Sequence, residues 1–172
     1  MSAALNGLPS SLTRRPTTKQ NKPHLTAIHR KDISLPTKYL QKRSLLIGRI
    51  LDYGCGHGHD CDALGFEGYD PHWRPTPPNG KFDTIICNYV LNVLEESEWQ
   101  GVLDSISGLL FEGGKAYITV RTDKDSLNGW TSKGTYQCEV KLDLPLVYNG
   151  KFRMYRLEKS CQVPKQNSMV AK

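Results

Sequence analysis

The sequence predicts an α/β fold with a mostly parallel sheet, a reduced third-strand region and a C-terminal antiparallel hairpin. Three observations predict it. A strand pattern at 49–53 runs into a glycine-rich loop and a short helix at 59–64. Apolar, β-branched stretches at 81–88 and 116–120 are typical of buried parallel strands. Between them, 95–110 has helical periodicity, which Gly113-Gly114 is expected to end, and its apolar face carries Trp99, Val102, Leu103, Ile106, Leu109 and Leu110.

The residues before the first strand predict a tail followed by a helix. Residues 1–23 are rich in Ser, Thr, Pro and Arg and contain no acid, which predicts a disordered basic tail. Ser34-Leu35-Pro36 is typical of a helix start, with proline at an early position. We therefore expect one compact domain over 24–160, followed by a short C-terminal tail at 161–172.

The segment between the second strand pattern, 66–70, and the next strand is short and contains four prolines. Prolines exclude a regular helix or a central strand there. The third strand of the usual doubly wound sheet is therefore expected to be missing or vestigial. An open sheet edge of this kind can pair with a partner subunit, so a homodimer is one expectation.

Two alternating segments predict the terminal hairpin. They are 135–142 and 152–157, and Asn149-Gly150 between them is a strong hairpin-turn signal.

The loop after the first strand has the order Asp52-Tyr53-Gly54-Cys55-Gly56-His57-Gly58. Glycine lets backbone approach a ligand closely because it has no Cβ and tolerates positive φ. The G-x-G-x-G spacing differs from the G-x-G-x-x-G dinucleotide fingerprint. The carboxylate of Asp52 suits a cationic ligand better than a pyrophosphate. A second acid, Asp70, follows Asp52 by 18 residues at the end of the next strand, where a carboxylate can accept hydrogen bonds from ribose hydroxyls.

These residues resemble motif I of the class I S-adenosylmethionine (SAM)-dependent methyltransferases, which have a Rossmann-like fold. A closer resemblance covers roughly residues 25–122 and relates the chain to methyltransferases associated with DNA phosphorothioation gene clusters. That resemblance is carried by Thr26-Ala27-Ile28-His29-Arg30, Ser34, Pro36, Asp52-Tyr53-Gly54-Cys55-Gly56, Tyr69-Asp70-Pro71 and Tyr89-Val90-Leu91-Asn92-Val93.

The resemblance implies SAM as cofactor and a set of site residues. The expected cofactor-binding residues are Arg30, Asp52, Gly54, Cys55, Gly56, Asp60, Asp70, Pro71 and Asn88. The expected catalytic residues are Asn88 and Tyr89, at the end of the strand where the acceptor meets the methyl group. Further candidates are His29 over the cofactor, His72 and Trp73 beside a base, Asn92 near the acceptor, Arg121 and Thr122 at a strand end, and Thr135-Tyr136-Gln137 along the acceptor pocket.

The acceptor is less well defined by the sequence. DNA amino-methyltransferases usually carry Asp/Asn/Ser-Pro-Pro-Tyr/Phe at this strand end, whereas this chain has Asn88-Tyr89-Val90-Leu91. No Pro-Cys pair is present, which disfavours cytosine C5 chemistry. A small-molecule methyltransferase and a non-catalytic SAM- or nucleic-acid-binding module stay open as alternatives. The glycine spacing disfavours a nicotinamide dehydrogenase.

Charge is distributed unevenly along the chain. Residues 1–49 contain ten Lys or Arg and one acid, whereas residues 50–172 contain thirteen Lys or Arg and sixteen acids. A basic N-terminal arm beside a nucleotide-type fold predicts contact with nucleic-acid phosphates. No apolar run approaches the roughly 18 residues that a membrane helix needs, so we expect no membrane contact and a cytoplasmic location.

The five cysteines predict reduced thiols, since their number is odd and no secretory segment is present. Cys55, His57, His59 and Cys61 alternate, but their spacing does not match the usual structural zinc patterns. The sequence therefore predicts no metal site.

Overall fold

The computed structural model describes residues 20–122, 128–132 and 134–160. Within these residues the chain forms a six-stranded sheet and a two-stranded sheet. The larger sheet contains, in spatial order, β2 (Glu67–Tyr69), β1 (Ile50–Tyr53), β3 (Phe82–Asn88), β4 (Leu110–Arg121), β8 (Phe152–Glu158) and β7 (Leu146–Asn149). The smaller sheet pairs β5 (Gly129–Trp130) with β6 (Tyr136–Gln137).

The predicted mostly parallel α/β fold is confirmed. Strands β2, β1, β3 and β4 pair in parallel in that order. Strand β8 then pairs antiparallel with β4, and β7 pairs antiparallel with β8. The carboxyl ends of the four parallel strands consequently lie along one edge of the sheet. Ligands of open α/β sheets bind outside that edge, and Asp52, Asp70 and Asn88 all lie there.

In the part of the chain that the structure describes, three helices flank this sheet, namely α1 (Leu35–Lys42), α2 (His59–Leu64) and α3 (Glu96–Leu109), with 3₁₀ turns at Pro23–Thr26 and Leu91–Val93. The predicted start of α1 is confirmed, because the Ser34 side chain accepts a hydrogen bond from the Thr37 backbone and a proline lies in the first turn. Helix α3 begins with a capping arrangement in which the Glu95 backbone donates to the Glu98 carboxylate at 2.9 Å.

The core lies on both faces of the sheet. One apolar cluster contains Ile85 and the α3 residue Ile106, whereas the other contains Ile86 and the α1 residue Leu40. Successive strand side chains point to opposite faces, so Ile85 and Ile86 anchor one helix layer each. All four side chains are fully buried.

The predicted loss of the third strand is confirmed. Residues 70–81 form turns and irregular chain, and only one isolated bridge, between Asp70 and Arg74, occurs there. Strand β2 therefore lies at one edge of the described sheet.

The predicted hairpin is correct in its turn and second strand but wrong in its first strand. The partner of β8 is β7, whereas of the predicted segment 135–142 only Tyr136–Gln137 is a strand, and it pairs with β5. The alternation in 135–142 has another cause. Cys138 and Val140 point into the core, while the Cys138 backbone donates to the Asn92 carbonyl of a 3₁₀ turn rather than to a strand.

Two predicted boundaries also need correction. Helix α3 ends at Leu109, so Gly113-Gly114 lies inside β4 rather than ending the helix. Residues 20–23 belong to the folded domain, because the Asn21 side chain donates to the Val93 carbonyl at 2.7 Å and accepts from the Tyr136 backbone at 2.9 Å. The rest of the predicted tails, 1–19 and 161–172, lies outside the described residues.

Among the helices in the described part of the chain, none has the length and apolar character needed to span a membrane.

Candidate functional site

The loop between β1 and α2 adopts a conformation that requires glycine. Gly54, Gly56 and Gly58 all have positive φ, of 78°, 55° and 85°. A Cβ on Gly54 would lie 2.2 Å from Val90 Cγ2, so a side chain at this position would collide with the wall of the site. The Gly54 and Cys55 backbones donate to the Tyr69 carbonyl at 2.7 and 3.1 Å, which fixes the loop against the end of β2.

Asp70 connects this loop to the turn that follows β2. One carboxylate oxygen accepts from the Gly56 backbone at 3.1 Å. The other accepts from the His72 and Trp73 backbones, both at 2.9 Å. The second acid that the spacing singled out therefore lies against the glycine loop and also shapes the turn after it.

Asp52 is the most buried acid of this edge, with 4% of its surface exposed. Burial raises the pKa of the Asp52 carboxyl well above its usual range, and the neighbouring Cys61 and Asp60 raise it further, while Arg30 and Arg74 oppose the shift. A buried carboxyl of this kind is stabilised in its charged form by a bound cation.

Asp60 positions helix α1. Its carboxylate accepts from the Ser34 backbone at 3.0 Å, from the Ser34 hydroxyl at 2.5 Å and from the Thr37 hydroxyl at 2.7 Å. The Asn88 amide in turn donates to the Thr37 hydroxyl at 3.1 Å. Asp60 was expected to reach the cofactor directly, whereas these contacts give it the further task of holding α1 beside the end of β3.

Asn88 leaves one polar atom without a partner. Its Oδ1 atom is buried and receives no hydrogen bond from the described residues. An unsatisfied buried acceptor is costly and rare in folded proteins. Because Asn88 lines the cavity described next, this atom can accept a hydrogen bond from a ligand amino group.

Tyr89 has φ of +65°, a strained value for a large side chain. Such strain is concentrated at functional sites, where the surrounding structure maintains it. Its backbone donates to the Thr119 carbonyl of β4 at 2.8 Å, which holds the residue at the strand ends.

These groups line a cavity of about 490 Å³ at the carboxyl ends of the strands. All nine expected cofactor-binding residues contribute to its wall, as does Tyr89: the nine are Arg30, Asp52, Gly54, Cys55, Gly56, Asp60, Asp70, Pro71 and Asn88. The structure therefore brings together residues from β1, the glycine loop, α2, the turn after β2, β3 and the N-terminal arm, which we define as residues 20–33.

The N-terminal arm covers this cavity, which sequence reasoning anticipated only through His29 and Arg30. His24 stacks on His72 with ring centroids 4.0 Å apart, and His29 stacks on His57 at 3.9 Å. The Trp73 ring centroid lies 4.2 Å from that of His57. Trp73 was expected beside a bound base, but it does not line this cavity. The 3₁₀ turn of the arm begins at Pro23. Proline is common at the first position of a helix, so this residue is a local signal from which the turn could have been predicted.

A second cavity, of about 610 Å³, adjoins the first. Five residues line both: Thr26, Ile28, Arg30, Tyr89 and Val93. Of the expected acceptor residues, Asn92, Arg121, Thr135 and Gln137 line the second cavity. Thr122 does not, since its hydroxyl donates to the Gly150 carbonyl at 2.9 Å, and Tyr136 packs against Trp130.

Asn92 also has a structural task. Its side chain accepts from the Arg121 backbone and donates to the Cys138 carbonyl, both at 2.9 Å.

Two cysteines of the loop region interact. The interaction between the two thiols lowers the pKa of Cys61 and raises that of Cys55, which burial raises further. Arg74 Nη1 lies 3.6 Å from Cys61 Sγ. Within the described ranges, no group of three or more His, Cys, Asp or Glu side chains is arranged to hold a metal ion.

The chain belongs to the methyltransferase domain family, whose sequence model matches residues 26–161. No curated protein sequence matches it significantly. Among solved structures, it is similar to the SAM-dependent methyltransferase SibL in its apo form, with 10% identity, a TM-score of 0.50, and coverage of 73% of this chain and 54% of SibL. That similarity shows the shared fold.

Two further structures match at lower TM-scores. The magnesium protoporphyrin IX methyltransferase ChlM from Synechocystis PCC 6803, with bound SAM, is 15% identical, with a TM-score of 0.44 and coverage of 73% of this chain and 76% of ChlM. A SAM-bound amino pentose methyltransferase from Micromonospora echinaspora is 19% identical, with a TM-score of 0.37 and 48% coverage of this chain. The chain spans about half the length of that protein, 47%.

The first cavity fits the methyl donor that this family implies. SAM carries a sulfonium charge, an amino group and ribose hydroxyls. The cavity offers buried and half-buried carboxylates from Asp52 and Asp70, the unsatisfied Asn88 oxygen, and a glycine loop whose Gly54 Cβ position is occupied by a neighbouring side chain.

Proposed function

We propose that this protein transfers a methyl group from SAM, bound in the first cavity, to an acceptor in the second. The observation that carries the proposal is the adjacency of the two cavities, which share Arg30, Tyr89 and three other residues at the carboxyl edge of the sheet. SAM, when bound, supplies a methyl group already activated by the sulfonium charge.

The chain's own residues hold and orient the donor. Asp52 provides a negative charge beside the site, Asp70 provides carboxylate oxygens next to the glycine loop, and Asn88 provides its unpaired oxygen. Because Asp60 connects α1 to α2 and Thr37 of α1 binds the Asn88 amide, this oxygen is held in place by buried contacts rather than by solvent-exposed ones.

The boundary between the cavities positions the acceptor. In-line displacement depends mainly on the alignment of donor and acceptor, so the site needs no strong nucleophile. The strained Tyr89 backbone fixes that side chain at the boundary, and the N-terminal arm covers the donor side and limits access of water.

We further propose that the acceptor is a nucleic acid. The proposal is supported by the excess of cations in residues 1–49, and DNA and RNA are the first acceptors to test. A small-molecule acceptor of the same fold and a non-catalytic binding module are the two rivals.

Salt-dependent binding tests the nucleic-acid proposal. Each neutralised phosphate contributes roughly 0.7–0.9 to the slope of log K against log salt concentration. Replacing the three basic residues ahead of the described arm by glutamine should therefore reduce the slope by about two to three and weaken binding at low salt; these residues are Arg14, Arg15 and Lys19. Fluorescence anisotropy with labelled single- and double-stranded DNA and RNA measures both quantities.

The control replaces three lysines that line neither cavity, which are Lys81, Lys115 and Lys141. It should leave the slope nearly unchanged. Equal slopes in all three proteins, or no binding at low salt, would contradict the nucleic-acid proposal. Methyl transfer from labelled SAM to the same nucleic acids separates an enzyme from the non-catalytic rival.

A further inference from the structure

The second cavity differs from the first in its charge. Three aspartates line the first cavity, Asp52, Asp60 and Asp70, together with one arginine. The second is lined by Arg30, Arg121 and Lys151 and, among the described residues, by no carboxylate. Two adjoining spaces of opposite charge suit two ligands of opposite charge.

We propose that the second cavity binds an acceptor with an anionic group, a carboxylate or a phosphate, attached to an apolar or aromatic body. This inference rests on the proposed methyl transfer and adds the chemical class of the acceptor. The cationic donor and the anionic acceptor would then each occupy the cavity of opposite sign.

The three cations come from separate parts of the chain. Arg30 lies in the N-terminal arm, Arg121 is the last residue of β4, and Lys151 lies in the turn between β7 and β8. Convergence of three cations from distant segments on one space attracts an anion and raises its local concentration. The planar guanidinium groups also match the geometry of carboxylate and phosphate oxygens.

Another part of the wall is apolar. Leu25, Ile28 and Leu35 line the cavity and are 48%, 59% and 57% exposed. One exposed aliphatic side chain is ordinary, but three around one cavity form a patch of the kind that marks a binding surface. Thr131, Thr135 and Gln137 add hydrogen-bonding groups to the wall, so its composition matches a ligand with an apolar body and a charged group.

A matched pair of fluorescent probes tests the inference. One probe, 8-anilinonaphthalene-1-sulfonate, has an aromatic body with an anionic group, while N-phenyl-1-naphthylamine has nearly the same body without the charge. The full-length protein is titrated with each probe, and the same titrations are made with K151M, K151R and the control K42M. Lys42 is an exposed lysine that lines neither cavity.

We expect the effect of K151M to depend on the charge of the probe. K151M should weaken binding of the anionic probe by about tenfold and leave the neutral probe within about twofold, whereas K151R and K42M should both behave like the wild type. Equal effects of K151M on the two probes, or no effect on either, would overturn the inference. Thermal unfolding of each variant verifies that it is folded.

Displacement of the bound anionic probe by unlabelled compounds then shows whether the anionic group belongs to a nucleic acid or to a small molecule. Displacement of the anionic probe by a 12-nucleotide single-stranded DNA would support a nucleic-acid acceptor, and displacement by benzoate or phenyl phosphate alone would support a small-molecule acceptor. Failure of all three at millimolar concentration would overturn the inference. A separate SAM titration monitors the first cavity, so the loss of the proposed function and the loss of this inference are distinguishable.

Discussion

Replacing Asp52 by asparagine is expected to weaken SAM binding by at least tenfold while making the ligand-free protein more stable at pH 8. The loss of affinity follows from removing the most buried negative charge of the donor cavity. The gain in stability follows from the same burial, which raises the pKa of this carboxyl well above its usual range.

The sign of the pH dependence follows from proton binding. A carboxyl with a raised pKa in the folded state binds its proton more tightly there than in the unfolded chain. Its contribution to stability is complete below the unfolded pKa and is lost as pH rises towards the folded pKa. Each pH unit across that interval costs about 1.4 kcal/mol, a loss that the non-titrating asparagine avoids.

Urea unfolding at pH 5, 6.5 and 8, together with calorimetric titration of SAM, measures both effects. The advantage of D52N over the wild type should increase with pH. D143N makes the same chemical change at an exposed position and should alter neither quantity. A D52N protein that binds SAM as tightly as the wild type would contradict the assigned role of this acid.

Replacing Gly54 by alanine is expected to destabilise the protein by about 2–5 kcal/mol and to abolish measurable SAM binding. Two costs add. An L-residue in the left-handed region costs about 1–2 kcal/mol, and forcing a methyl group into packed surroundings costs about 1–3 kcal/mol. The added Cβ would lie 2.2 Å from Val90 Cγ2.

The chain offers a matched control at Gly65. Its φ is +71°, close to the +78° of Gly54, but a Cβ there would meet nothing within 4 Å. G65A should therefore incur only the conformational cost. The double variant G54A/V90A should recover the part of the loss that comes from the collision. Equal destabilisation by G54A and G65A in urea unfolding would show that the contact with Val90 is unimportant.

The sequence predicted those parts of the fold and site whose causes are local. The glycine loop, the start of α1 at Ser34 and the loss of a strand among the prolines after Asp70 all follow from short-range backbone preferences. The parallel arrangement could also be predicted, because a strand, a tight loop and a helix in succession leave few alternatives.

The parts that could not be predicted depend on contacts between distant residues. The partners of Asp60 are Ser34 and Thr37, more than twenty residues earlier. The arm closes over the site through the stacking of His24 on His72 and of His29 on His57, and no spacing rule relates these histidines. The alternation in 135–142 was misleading because an extended segment buried on one side has the same pattern as a strand.

The most direct test of the central claim is calorimetric titration of SAM into the wild type, D70A and the exposed control D143A. Asp70 lines the donor cavity, and its carboxylate binds both the glycine loop and the following turn. We predict micromolar binding by the wild type and D143A, weakened about tenfold or more in D70A, a change of roughly 1.4 kcal/mol. No binding to folded wild-type protein, or equal binding by the wild type and D70A, would contradict the assignment of this cavity as the SAM site.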